Sequence, residues 1–97
     1  MAFHRILYSE QAAEDLIDIW SYLDELNTNA ANKIIEQIKC ECVKLSNFPM
    51  LGQEREDIIK GIRHLPVFSY IVFYRIMDDY IEIIRVVHSA RYLPEIL

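Results

Sequence analysis

Glycine and proline are scarce in this 97-residue chain, two and three respectively. So few chain breakers leave little room for sharp turns, so the elements should be long and the connections short. The shortage also excludes a phosphate-cradling loop, because Gly52 and Gly61 stand alone and neither is followed by Lys-Ser/Thr. Cysteine is limited to Cys40 and Cys42. On a helix, positions i and i+2 face different ways and cannot bridge, and zinc usually needs four ligands, so neither a disulfide nor a metal site is expected. No apolar run approaches the ~20 residues of a membrane span. The opening "MAFHRILYSE" has no apolar signal core or small-residue cleavage site, so a cytoplasmic location is expected. Bases are also outnumbered, ten Lys and Arg against fifteen Asp and Glu, for a net charge of −5. That balance argues against direct DNA binding by the chain alone, since neutralising phosphates takes clustered cations.

What is present reads as one globular domain over residues 1–97, with 53% hydrophobic and 26% charged residues. "FHRILYS" alternates as a short first strand and places Ser9 as a helix N-cap. Ala12, Leu16, Ile19, Leu23 and Leu26 then recur at three- and four-residue steps, widened by Ala13, Ile17 and Trp20, which predicts an amphipathic helix. "NTN" at 27–29 breaks it and offers a new cap at Thr28 or Asn29. Ala31, Ile34, Ile35, Ile38, Cys42 and Leu45 carry a second helix as far as "SNFP", where Pro49 disfavours a helical Phe48. Two such helices joined by about three residues should form an antiparallel hairpin.

Residues 49–60 are polar and read as a loop. After Gly61 the period becomes two, and "IRHLPVF", "YIVFYRIM" and "YIEIIRVVH" read as three antiparallel strands, turned at "PVFS" and "MDDY". The expected class is α+β, an N-terminal strand and an antiparallel two-helix hairpin packed on a mainly antiparallel sheet.

Charge is uneven along the chain. Residues 10–25 hold six acids and no base, whereas 60–92 hold five bases (Lys60, Arg63, Arg75, Arg85, Arg91) against Asp78, Asp79 and Glu82. Arginines on neighbouring strands can gather an anionic partner, or they can pair with acids across the same sheet. The second reading suits Arg75 and Arg85 better. Arg63, at a strand start, and Arg91, in the tail, are the stronger candidates for contact with a partner. The serines lie in no nucleophile motif, and His4, His64 and His88 are too scattered to form a metal set. His88, at a strand end, is expected to anchor the tail through a hydrogen bond.

The run "GIRHLPVFSYIVFYRIMDDYIEIIRVVHSAR" resembles the signature of the ParE branch of the RelE/ParE toxin superfamily. A Gly-(Leu/Ile)-Arg opens the strands, an (Ile/Val)-x-Phe-Tyr-Arg strand follows, and the last strand ends in a Val-Val-His-Ser-Ala-Arg motif. "SEQAAEDLIDIWSYL" and "FPMLGQ" are similar to the family's first helix and its Phe-Pro-x-x-Gly loop, so the resemblance covers nearly the whole chain. The tail Arg91-Tyr92-Leu93-Pro94 departs from the Arg-Asp-Leu of many members.

The resemblance implies a toxin of a type II toxin–antitoxin pair of the plasmid-stabilization kind. A cognate antitoxin protein would neutralise it, in a heteromeric complex or beside a toxin homodimer. ParE-like members block DNA gyrase and need neither catalytic residues nor a cofactor. RelE-like members cut mRNA on the ribosome. That chemistry needs a proton acceptor, cations and a proton donor, for which Arg63, His88, Arg91 and Tyr92 are the candidates. The negative net charge and the few lysines on the sheet favour the non-enzymatic gyrase-directed toxin over a ribosome binder, with an inactive member that only binds its antitoxin as a second alternative. For a gyrase-directed toxin, Arg63, Arg91 and Tyr92 are the expected target contacts. An antitoxin segment of acidic or mixed charge is expected to cross Trp20 and Leu23 and reach Arg63 and Arg91.

Overall fold

The computed structural model describes residues 4–90, so Arg91, Tyr92 and the rest of the tail lie outside the described residues. Five strands and two helices follow one another as β1 (Arg5–Tyr8), α1 (Glu10–Leu26), α2 (Thr28–Lys44), β2 (Gln53–Glu54), β3 (Ile62–Val67), β4 (Tyr70–Ile76) and β5 (Tyr80–His88). The strands form one sheet in the order β1-β5-β4-β3-β2. Only the β1–β5 pair is parallel, because α1 and α2 carry the chain across the sheet between them. The rest is antiparallel, so the expected class holds.

Ser9 starts α1 as the sequence suggests. Its Oγ accepts the Ala12 N–H at 3.0 Å and donates to the Ile84 carbonyl at 2.8 Å, so the cap also fastens the helix to β5. The hinge between the helices is tighter than the three residues expected. Asn27 alone closes α1 and caps α2 by accepting the Ala30 N–H at 3.0 Å, so neither Thr28 nor Asn29 is the cap. Thr28 instead donates to Asp24 at 2.6 Å, and the Trp20 indole donates to Asn32 at 2.8 Å, which ties the hairpin together.

Both helices cover one face of the sheet. Ala12 and Leu16 from α1, with Ile38, Cys42 and Leu45 around α2, meet Val72, Tyr74, Ile81, Ile83 and Val86 in the main core. Ile38 is completely enclosed, so truncation to Ala should cost about 2–5 kcal/mol. The opposite face carries a smaller cluster of Ile62, Phe73 and Val87, partly roofed by Ile58.

Two sequence expectations are corrected. The segment 49–60 is not all loop, because Gln53 and Glu54 pair with His64 and Arg63 and add a fifth strand. A two-residue strand is too short to show a period, which is why the sequence hid it. Pro66 belongs to β3 rather than to its turn, opposite Ile71. The turn is Phe68–Ser69, and Phe68 takes a φ of 55°. That conformation is strained for a bulky residue, and Phe68 is 70% exposed, so the core does not require it there.

Candidate functional site

The register of β5 sets up the first feature. β1 pairs only as far as Tyr8 with Ile83, and the β4–β5 ladder slips by one residue between Phe73 and Tyr74. Phe73 faces Arg85 while Tyr74 faces Ile83, so Ile84 is the extra residue of a bulge. Beyond it β5 runs past the end of β1, and among the described residues no strand flanks it there.

Asp15 of α1 fills part of that gap. Its carboxylate accepts the Val86 N–H at 2.9 Å and two bonds from the Arg85 guanidinium, at 2.8 and 3.0 Å. Asp15 is the one buried charged residue among those described. The hydrogen bond from Arg85 to Asp15 holds the guanidinium pKa above its ordinary value. Arg85 therefore finds an acid, as expected, but on the helix rather than on the sheet.

Past Asp15 the helix and the β5 edge diverge into a groove of about 700 Å³. Ile19, Leu23 and Ile34 line it from the helices and Tyr70, Val86 and His88 from the sheet. Tyr22 and Phe68 stand at its mouth, both mostly exposed. Burial, with Tyr22 nearby, raises the Tyr70 phenol above its ordinary pKa. The His88 ring packs edge-on against Tyr70 at 5.4 Å, and its Nδ1 accepts the Ala90 N–H at 3.1 Å.

The second feature is a braced loop. Tyr74 is fully buried, and its hydroxyl donates to the Pro49 carbonyl and accepts the Gly52 N–H, both at 2.7 Å. Gly52 has no room for a side chain, since a Cβ there would lie 2.6 Å from both the His64 carbonyl and the Tyr74 ring. Arg63 donates to the Gly52 carbonyl at 2.6 Å and to Glu54 at 3.1 Å. Arg63 thus serves as a brace, with its side chain only 15% exposed. Close by, the Arg55 guanidinium, held by Asp57, donates to His64 Nδ1 at 2.9 Å. Arginine only donates, so His64 must be neutral, and burial together with the Arg55 charge lowers its pKa.

The sequence candidates among the described residues are therefore dispersed. Trp20 lines a separate groove on the outer face of the helix pair, with Ile35 and Val43, while Leu23 faces the β5 groove. Arg63 sits opposite Tyr74 and His88 opposite Tyr70. They lie about 13 Å apart along the strands and two strand spacings, about 10 Å, across. Arg75 pairs with Glu82 at 2.7 Å across the β4–β5 ladder, as expected. Asp15, Tyr74 and the Arg55–His64 pair were not singled out. Only the Tyr of "FYR" and the Gly of "FPMLG" could have hinted at the braced loop. Among the described residues no group of three His, Cys, Asp or Glu could hold a metal, and no helix is long and apolar enough to cross a membrane.

A hairpin on one face of a sheet whose first strand runs parallel to its last is the architecture of RelE/ParE-type toxins, and comparison with known proteins gives the family. The profile described as ParE toxin of type II toxin–antitoxin system, parDE, matches residues 6–92, and the chain belongs to that family. Y4kP of Sinorhizobium fredii, which carries a toxin name, is 30% identical over 99 residues, covering the whole of both chains. Toxin RelE2 of Caulobacter vibrioides is 23% identical over 87 residues, covering 90% of this chain and 97% of its own. Among solved structures, the chromosomal ParDE system from P. aeruginosa superimposes with a TM-score of 0.78 at 21% identity, covering 89% of this chain and 96% of that one. RelBE2 of Mycobacterium tuberculosis gives 0.59 at 22% identity, covering 91% and 99%.

Proposed function

We propose that this chain is a cytoplasmic ParE-like toxin that blocks DNA gyrase without cutting RNA and is held inactive by a cognate antitoxin. The match to a family described by parDE supports a ParE-like toxin. The antitoxin half is supported by neighbours solved as toxin–antitoxin complexes, RelBE2 and DinJ–YafQ among them.

The observation that carries the choice against RNA cleavage is how the arginines are used. Four of the five described arginines are held by an acid of the same chain at 2.7–3.1 Å, Arg55 by Asp57, Arg63 by Glu54, Arg75 by Glu82 and Arg85 by Asp15, while the exposed Arg5 only approaches Asp79 at 3.9 Å. Cutting RNA calls for cations left free to meet the phosphate and for groups converging on one bond. Arg63 and His88 do not converge, and Arg63 is engaged by a carbonyl and a carboxylate. A surface that docks on a protein target has no such demand.

Expression from a tightly controlled promoter tests this. Growth arrest with intact mRNA and a DNA-damage response supports the gyrase reading. Arrest with mRNA cut at defined positions overturns it in favour of ribonuclease action. Wild-type growth together with antitoxin binding would identify a member that only binds its antitoxin.

A further inference from the structure

The side of the helix hairpin that faces away from the sheet leaves apolar groups in water. Trp20, Ile35 and Val43 line a groove of about 570 Å³ between α1 and α2. Ile17, one turn before Trp20 on the same side of α1, extends it. Ile17 and Val43 are 63% and 62% exposed, and among the described residues no element covers them. The Trp20 indole is held across the groove by its bond to Asn32 at 2.8 Å, so the surface is preformed. Exposed apolar groups gathered in one such patch mark a contact surface.

The charges beside this groove differ from one helix to the other. α1 carries six acids and no base, and Arg85 neutralises only Asp15. On α2, Lys44 and Glu41 pair with each other, which leaves Lys33 and Lys39 against Glu36. No ion pair or hydrogen bond reaches Glu14, Lys33 or Lys39 among the described residues. An acidic helix beside one with a surplus of lysine makes the face complementary to itself, provided that α1 of each copy meets α2 of the other. Turning a second copy about an axis that runs along the helices achieves this, and every contact then occurs twice. An axis across the helices would lay acid on acid, which is unfavourable. Glu14 and Lys39 stand at nearly equal separations from the Asn27 hinge, so they lie at one level of the hairpin and would face each other between copies.

We infer that the outer face of the hairpin docks a second copy of this chain, α1 of each over α2 of the other, with Ile17, Trp20 and Val43 at the apolar centre and Glu14 opposite Lys39. Seventeen residues give each helix a length of about 25 Å, and two side by side are about 20 Å wide. Such a face buries about 500 Å² per copy and about 1,000 Å² in all, the lower bound for a specific interface. Association therefore rises with concentration. The homodimer goes beyond the toxin reading and does not depend on it.

Sedimentation equilibrium of the purified full chain, from low micromolar concentration upward, tests this. The unaltered chain should pass from monomer to dimer, and a monomer at every concentration overturns the proposal. Val43→Asn, in the groove, should weaken association several-fold. Phe68→Asn, at the exposed β3–β4 turn, should leave it unchanged. Circular dichroism should show both variants folded, since both side chains are exposed. Equal effects of the two substitutions overturn the location.

Charge reversal tests the orientation. Glu14→Lys and Lys39→Glu each put like charges together twice in their own homodimer, so either alone should weaken association roughly tenfold or more. When the two variants are mixed in equal amounts, both contacts join opposite charges. Association should then return to within about threefold of the unaltered chain. A mixture that associates no better than either variant alone overturns the pairing of α1 with α2, as does a reversal that leaves the homodimer unchanged.

Discussion

Replacing Tyr74 by Phe removes one oxygen atom from a fully enclosed ring and leaves the packing volume nearly unchanged. Any loss of stability then comes from the two hydrogen bonds at 2.7 Å to Pro49 and Gly52. A typical hydrogen bond contributes about 1 kcal/mol net, and a buried donor left without a partner costs about 1–3 kcal/mol. Gly52 is buried, so its N–H meets no water once the hydroxyl is gone. The expected loss is therefore about 2–4 kcal/mol, a fall of roughly 10 °C or more in Tm for a domain of this size. Gly52→Ala should do comparable damage by another route, since its Cβ would collide with the His64 carbonyl and the Tyr74 ring. Urea denaturation followed by circular dichroism reads both variants. A Tyr74→Phe protein within about 0.5 kcal/mol of the wild type would refute the claim that this hydroxyl holds the 48–52 loop in place.

Asp15→Ala strips Arg85 of its bidentate partner and uncaps the Val86 N–H. It should cost about 2–4 kcal/mol in chemical denaturation, far more than Glu14→Ala one residue earlier. The folded-state pKa of His64 lies below its ordinary 6.5. The unfolded chain therefore takes up the proton first, and this contribution to stability is complete above 6.5 and lost as pH falls through the lowered folded value. Denaturation at several pH values should show that acid-side loss in the wild type and a smaller one in His64→Gln. Burial pushes the Cys42 thiol up to about 11, whereas Cys40 is exposed. A thiol reagent at neutral pH should label one cysteine per folded chain and two after unfolding.

The two helices were legible because seventeen residues each give the 3.6 period room to repeat, and Ser9 is a conventional cap. The three long strands were legible from their Ile, Val, Tyr and Phe content. β2 was not, being only two residues long, and its pairing depends on a chain reversal held by Tyr74 and Arg63 from distant strands. The site was harder to read. Trp20 and Leu23 look like neighbours on one stripe, yet α1 is packed on two sides and they fall into different grooves. Arg63 reads as a free cation beside a glycine, but the fold brings Glu54 and the Gly52 carbonyl onto it. Asp15 looked like one more acid in a run of six. Its role depends on β5 lying 70 residues away. Pairings at that separation leave no local pattern in a sequence.

The proposed action on DNA gyrase rather than on RNA can be tested without cells. A supercoiling reaction combines purified gyrase, relaxed plasmid and increasing amounts of this chain, with and without the antitoxin. Supercoiling should be lost, cleaved DNA should accumulate on the enzyme, and the antitoxin should restore activity. Full supercoiling at every concentration of a chain that still arrests growth would contradict it.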